Sequence, residues 1–233
     1  MQLKTTETTD YKMMETKMKI EIWSDIMCPF CYIGKRNFET ALSQFAHNHK
    51  IDVEWKSFQL DPTMPELPEH RNDVYSYVAE MKGMPYEHSV KAHNDVNQYA
   101  KRVGLDYKLD KVIVTNTLKG HRLIQLAKTK GLGASAEESL FAAYFTNGQN
   151  LNDHNTLIAI GKEIGLSEEE VTEALTNDIY KQKVEEDLKE ARTLGVQGVP
   201  FFVINRRFAI SGARQPADML ATIEKAYADW SGS

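Results

Sequence analysis

The stretch "SDIMCPFCYIGKR", residues 24–36, decides the fold, because it holds the only two cysteines of the 233-residue chain, Cys28 and Cys31. Just before it, "KIEIWS" (19–24) is short and rich in Ile and Trp, the composition of a strand. Just after it, Ile33, Phe38, Leu42 and Phe45 recur at helical spacing and give one apolar face. Both thiols therefore fall at a strand-to-helix junction. A helix N-terminus presents unpaired N–H groups and the positive end of the helix dipole, which favour an anion. Such placement brings a cysteine pKa down from about 8.5 into the range ~3.5–7.5. Cys28 is thus expected to be the exposed nucleophile, and Cys31, one turn deeper, the shielded resolving thiol. Pro29 suits the first turn, where its missing N–H costs nothing.

Two plainer readings of the pair compete with redox chemistry. A zinc site would need two further ligands, and the chain has no third cysteine. His88 and His93 are far downstream of Cys31, well beyond a compact metal-binding loop. Free cysteines are also common as small packed residues. A Cys-Pro-x-Cys spacing after a strand favours a catalytic dithiol over both, and no metal is expected. Phe30 adds no charge between the thiols, so a milder oxidant is expected than with a basic residue there. A reduction potential as oxidising as about −120 mV would contradict that expectation.

Composition narrows the rest. A formal net charge of −5 argues against a nucleic-acid binder, which would show a basic stripe. No apolar run approaches bilayer-spanning length, so no membrane partner is expected. Residues 1–17 are polar and lack the apolar stretch of a secretory signal. They read as a disordered tail, and the expected location is cytoplasmic, where structural disulfides are rare.

Along the chain, "IDVEWKSFQL" (51–60) alternates as a second strand, with Val53, Trp55 and Phe58 inward. A β-α-β opening favours a parallel pair. "DPTMPELPEH" (61–70) contains three prolines and marks a boundary. Residues 72–194 read almost entirely as helix, with helices ending at Gly83, Gly104, Gly131, Gly148, Gly165 and Gly195. Ser135 with Glu138 and Ser167 with Glu170 have the spacing of capping boxes. "PFFVI" (200–204) and "RFAIS" (207–211) flank Asn205–Arg206 as a hairpin, and a closing helix follows Pro216. Strands only outside a run of helices suggest an all-α domain inserted into an α/β one.

Three blocks together, "SDIMCPFCYIGKR", "NTLKGHRL" (116–123) and "VQGVPFFVINRRFAISGA" (196–213), resemble the DsbA-like thioredoxin-fold family. More narrowly they resemble its FrnE-type branch, which includes 2-hydroxychromene-2-carboxylate isomerase-like proteins. The resemblance runs from about Met18 to Trp230, and Phe30 stands where this branch usually has Trp. It implies an α/β thioredoxin fold with an inserted all-α helical domain. Residues 18–62 and 195–233 would form the thioredoxin-like part, and 63–194 the insertion with its connecting helix.

The resemblance also implies site residues. Val199–Pro200 would be a cis peptide facing the dithiol, so that Cys28, Cys31 and Pro200 form the catalytic set. Val199 would offer its backbone to an extended substrate segment, with Pro29, Phe30, His121 and Asn116 beside it. For His121 a satisfied, partly buried histidine is an equally good reading. Relatives often keep a buried acid six positions before the first cysteine; here that position is Ile22, and Asp25 is expected to be exposed at the strand end. Met81 and Met84 near Tyr86 fit either core packing or an adaptable contact. Arg206, Arg207 and Arg214 fit either a basic rim or a solvated hairpin.

The function expected is dithiol–disulfide exchange with protein thiols or disulfides, with no tightly bound cofactor and glutathione as a conceivable co-substrate. The alternative on the same fold is a glutathione-dependent isomerase or kappa-class glutathione transferase-like enzyme, but those relatives generally lack the full cysteine pair. A third reading is a non-enzymatic binding module or holdase using the helical domain's groove.

Overall fold

The structure is a computed structural model describing residues 16–65 and 73–232. The expectation for the N-terminal tail lies almost wholly outside the described residues. Strand β1 (Met18–Ser24) runs into helix α1 (Pro29–Gln44), and the chain returns through strand β2 (Ile51–Ser57). Because α1 crosses over between them, β1 and β2 pair in parallel, in register from Met18 with Ile51 to Ser24 with Ser57. Far along the chain, β3 (Phe201–Ile204) pairs antiparallel with β1, and β4 (Phe208–Ser211) pairs antiparallel with β3. The sheet order is β2-β1-β3-β4.

Asn205 and Arg206 turn the hairpin with φ of 49° and 55°, the left-handed pair that a two-residue turn demands. Asn tolerates that region, while Arg206 is held by its charge, its guanidinium bonding Glu21 and Glu190. Arg207 pairs with Asp229 at 2.7 Å, so these two arginines tie the hairpin to its neighbours.

Each face of the sheet has its own cover. Met18, Ile20 and Ile22 alternate onto one face, where they pack with Phe38 and Phe45 of α1 and with Met219 and Ile223 of the closing helix α9 (Pro216–Ser231). Trp23 and Val203 point to the opposite face, against Ala191 and Val196. Ala191 belongs to α8 (Asp178–Thr193), and a polar latch fixes that helix. There Asp187 accepts from the Ser57 backbone amide at 2.8 Å and from Gln125 at 2.6 Å, while its carbonyl accepts from Trp23 Nε1 at 3.0 Å. An acceptor buried this deeply must have its donors, and Asp187 does.

Between β2 and β3 lie α2 (Val74–Lys82), α3 (Tyr86–Arg102), α4 (Leu118–Thr129), α5 (Gly133–Phe141), α6 (His154–Glu163) and α7 (Glu168–Thr176), followed by α8. All six glycines expected to end helices have φ between 61° and 96°. The capping box at Ser167 and Glu170 is present with both bonds. The other one is not: α5 starts at Gly133 with Leu132 before it, so Ser135 lies inside the helix. Glu138 accepts instead from Tyr32 Oη at 2.5 Å, from Lys35 at 2.6 Å and from Arg36, locking α5 to α1. Nor is the segment continuously helical. Around a short turn at Leu109–Lys111, the chain between α3 and α4 is irregular, and it is tied to the start of α1, where the Pro29 carbonyl accepts from Tyr107 Oη at 2.8 Å.

Helix α1 serves two cores at once. Its second half faces the sheet, while Cys31, Tyr32 and Ile33 in its first half belong to the helical core with Leu123, Leu140 and Phe141. Tyr32 stacks on Phe141 with centroids 4.8 Å apart. The dithiol therefore lies at the seam between sheet and insertion.

Candidate active site

Cys28 is the residue that caps α1, with an extended backbone (φ −86°, ψ 111°), and Pro29 occupies the first helical position. Its amide donates to the Asp25 carbonyl at 2.9 Å, and its carbonyl accepts from the Cys31 amide at 3.0 Å. This tight turn places both sulfurs at the helix start, and both are free thiols. Cys28 Sγ donates to the Val199 carbonyl at 3.5 Å. The expectation of an exposed Cys28 is corrected: it is 5% exposed, closed over by Val199 and the helical core, and Cys31 is fully buried. Burial pushes the Cys31 thiol well up, and hydrogen bonding to Cys28 adds to this; the Asp25 backbone amide and the Ser24 hydroxyl draw it part of the way back.

The Val199–Pro200 peptide is cis, as the resemblance implied. Pro200 rests on α1 at Gly34, where any Cβ would stand 2.8 Å from the proline Cγ. A side chain at residue 34 would hold the proline away from the dithiol turn, so glycine is required by close approach.

Two concavities meet at this ridge. One, of ≈ 300 Å³, is bounded by Cys28, Phe30, Tyr77, Met81, Tyr144 and Val199. Met81 is 46% exposed, so it is a wall of this chamber and not core packing. The other, of ≈ 810 Å³, lies on the far side of Phe30 and Val199 and continues past Pro200 to Arg214. Phe30 itself is 41% exposed on the crest. The structure thus brings together Cys28, Pro29, Phe30 and Val199 on one chamber, and Phe30, Val199 and Pro200 on the neighbouring groove.

His121 and Asn116 line neither. Asn116 accepts from the Leu118 amide at 2.8 Å and from Gln59 at 3.3 Å, and donates to the Met64 carbonyl at 2.5 Å, which fixes the start of α4 against the loop after β2. His121 is fully buried, with Nε2 3.3 Å from Asp25 Oδ1. Asp25 is therefore not the exposed strand-end carboxylate expected from sequence: it is fully buried, and it also accepts from the Leu60 amide at 2.7 Å and the Met27 amide at 3.4 Å. Those amides need an acceptor where β1 and β2 give way to their loops, and they draw the side chain inward.

Sequence reasoning missed Glu137, on α5. It is 1% exposed, and neither carboxylate oxygen has a hydrogen-bond partner among the described residues; the same holds for His121 Nδ1. Burial pushes the Glu137 carboxyl up to about 7, with His121 and Lys35 pulling the other way and Asp25 adding to the rise. Its neighbour Glu138 is brought down to about 2, because Arg36, Lys35 and Tyr32 outweigh the opposing effect of burial. Among the described residues no group of three or more His, Cys, Asp and Glu side chains is placed to hold a metal ion.

Comparisons with known proteins agree with this geometry. Residues 19–224 match the DSBA-like thioredoxin domain family. The crystal structure of a probable DsbA oxidoreductase from Streptomyces coelicolor superposes with a TM-score of 0.85 at 32% identity, covering 91% of this chain and 90% of that one. The Bacillus subtilis protein YwbO is 26% identical over 188 residues, 79% of this chain and 86% of that protein. The same fold recurs in the cytosolic disulfide reductase DsbM from Pseudomonas aeruginosa, with a TM-score of 0.63 at 18% identity, covering 90% of this chain and 98% of that one. It recurs again in a 2-hydroxychromene-2-carboxylate isomerase, with a TM-score of 0.59 at 15% identity, covering 91% of this chain and 96% of that one. With the dithiol at the tip of α1, the cis-proline opposite it and this match along nearly the whole chain, the protein belongs to the DSBA-like thioredoxin domain family of thiol–disulfide oxidoreductases and isomerases.

Proposed function

We propose that the chain exchanges disulfides with protein substrates through Cys28 and Cys31, with Cys28 attacking and Cys31 resolving. The observation that carries this reading is the asymmetry of the pair: Cys28 borders the ≈ 300 Å³ chamber, while Cys31 is sealed behind it with its thiol pushed up. In the reducing direction the Cys28 thiolate attacks a substrate disulfide, forming a mixed disulfide and expelling one substrate thiolate, which takes a proton from water. Cys31 then gives up its proton and attacks Cys28 Sγ, releasing the second substrate thiol and leaving a Cys28–Cys31 disulfide. Two electrons pass to the substrate, and the reverse sequence oxidises a dithiol. An extended segment lying along Val199 presents its cysteine to Cys28, in the manner of strand addition.

Cys31 needs a proton acceptor as it becomes a thiolate. The buried Asp25 carboxylate, three residues before Cys28, and His121 behind it form the proposed path. Pro29 and Phe30 shape the crest over which the substrate passes. The setting proposed is cytosolic, and the existence of a cytosolic disulfide reductase on the same fold is compatible with it.

Glutathione as a small thiol partner is a second reading, favoured by the DsbM structure with glutathione, which shares this fold. Insulin reduction and reactivation of scrambled ribonuclease by wild type, Cys28→Ser and Cys31→Ser separate the readings. Loss of turnover in Cys28→Ser with an intact circular dichroism spectrum, and a trapped mixed disulfide in Cys31→Ser, are expected. Wild-type turnover confined to a glutathione-dependent small molecule would overturn the protein-substrate reading, and no turnover in either assay, with client aggregation suppressed equally by wild type and Cys28→Ser, would point to a holdase.

A further inference from the structure

The ≈ 810 Å³ groove beyond Pro200 is lined by cationic and no anionic side chains. The chain carries a net charge of −5, yet the groove is lined by Arg36, Arg102 and Arg214 and by no carboxylate. Arg36 is spoken for, bonded to Glu39 at 2.8 Å and to Glu138 at 2.9 Å. Arg102 and Arg214 are exposed, and neither forms a salt bridge among the described residues. They come from different elements, Arg102 from the end of α3 and Arg214 from the connection between β4 and α9.

Both are held in place. The Arg214 carbonyl accepts from Asn37 of α1 at 2.9 Å, and its Nε donates to the Ser211 carbonyl at 3.1 Å. Its terminal nitrogens have no hydrogen-bond partner among the described residues, and Arg214 lines the groove. Arg102 lies over the ring of Tyr99, 5.2 Å from its centroid. Phe30 and Val199 are shared with the apolar chamber, so a segment laid along Val199 passes from an apolar pocket into a cationic one.

Resting on the exchange chemistry proposed above, we infer that Arg102 and Arg214 receive the carboxylate-bearing flank of an extended acidic polypeptide whose cysteine reaches Cys28. The apolar chamber takes the residue on the other side of that cysteine. Exposed charge pairs are individually weak, but two guanidiniums lining one groove also steer an anionic chain into it, and together they give a preference of about fivefold.

The test uses the reduced full-length protein and peptide disulfides differing only in carrying two Asp, two Ser or two Lys residues beside the cysteine. One series places them N-terminal to the cysteine and another C-terminal. Each rate is divided by that of dithiothreitol with the same peptide, which removes the effect of the charges on the disulfide itself. In one series the Asp peptide is expected to react about fivefold faster than the Ser peptide and the Lys peptide slower, with the difference shrinking in high salt. The Arg102→Glu, Arg214→Glu double variant brings the ratio to one or below. Lys181→Glu with Lys183→Glu on α8 changes the net charge equally and keeps the ratio. Equal normalised rates for all peptides, or a preference that survives the double arginine variant, would overturn the inference and leave the exchange reading standing. No exchange with any peptide disulfide would overturn both. A preference seen with glutathione disulfide and absent from the acidic peptides would assign the groove to a small molecule and not to a polypeptide.

Discussion

Gly34 stands directly under Pro200: a Cβ at position 34 would lie 2.8 Å from the proline Cγ and 3.5 Å from the Ala213 Cβ. The contact joins the dithiol helix to the loop that faces it, and it is unforgiving because neither ring nor helix backbone can yield. An alanine in a helix ordinarily gains about 0.5–1 kcal/mol over glycine. Gly34→Ala is nevertheless expected to lose about 1–3 kcal/mol, because overpacking outweighs propensity. The urea midpoint of the variant, expected below that of wild type, checks this; a midpoint equal or higher would remove the contact from the account.

Gly120 supports the same turn from the other side. A Cβ there would stand 2.5 Å from Ile26 Cδ1, in the loop that precedes Cys28. Gly120→Ala should therefore destabilise and slow disulfide exchange together. Ile26→Val deletes the clashing methyl, so Gly120→Ala combined with Ile26→Val should recover most of what Gly120→Ala loses. A double-mutant cycle in thermal midpoint reads the coupling, and simple additivity would count against it.

Alkylation distinguishes the two thiols. Cys31 is fully buried and its thiol is pushed well up, so it stays protonated and shielded near neutrality. Brief treatment of reduced protein with iodoacetamide at about neutral pH should label Cys28 first, and peptide mass mapping reads the position. Preferential labelling of Cys31 would reverse the assigned roles.

Glu137 makes stability depend on pH in a defined sense. Its carboxyl is pushed up to about 7 in the folded protein, above the value of 4.5 usual for a glutamate, so between those values the folded state binds the extra proton. Stability from this group is fully present below pH ~4.5 and is lost as the pH rises through about 7. Glu137→Gln removes the dependence. The difference in unfolding free energy between variant and wild type should shift in the variant's favour by up to about 3 kcal/mol from pH ~4.5 to pH ~8, read by urea denaturation at both. Glu138, held near 2, does not titrate in that window. A difference independent of pH would mean that Glu137 is ionised throughout.

Much of this was readable from residues 24–36, because a strand, a Cys-Pro-x-Cys turn and an apolar helical face follow one another within one short stretch. The hairpin around Asn205 and the glycine-ended helices were equally local features, and local features survive in sequence. What was not readable depended on distant partners. Asp25 reads in the sequence as a strand-end acid because nothing near it reveals that His121, Leu60 and Met27 converge on its carboxylate. Glu137 and Glu138 are adjacent and chemically identical, yet one turns into the core and the other meets Arg36. Only the packing of α5 on α1 tells them apart, and the spacing of Ser135 and Glu138 imitates a helix start that lies three residues earlier, with Leu132 as the capping residue. Arg102 and Arg214 gave no signal as a pair, since α3 and the loop after β4 meet only in the folded chain.

Ile20 pairs with Ile204 across the middle of the sheet. During synthesis the first of these leaves the ribosome well before the second, so one edge of β1 waits for its neighbour while every helix between β2 and β3 is made. Cys28 and Cys31 are translated before helices α2 to α8, and Val199 and Pro200 after them. The nascent polypeptide therefore carries both thiols before it owns the carbonyl that Cys28 bonds in the folded chain. The cover over Cys28 is completed only when the chain reaches the cis peptide that precedes β3.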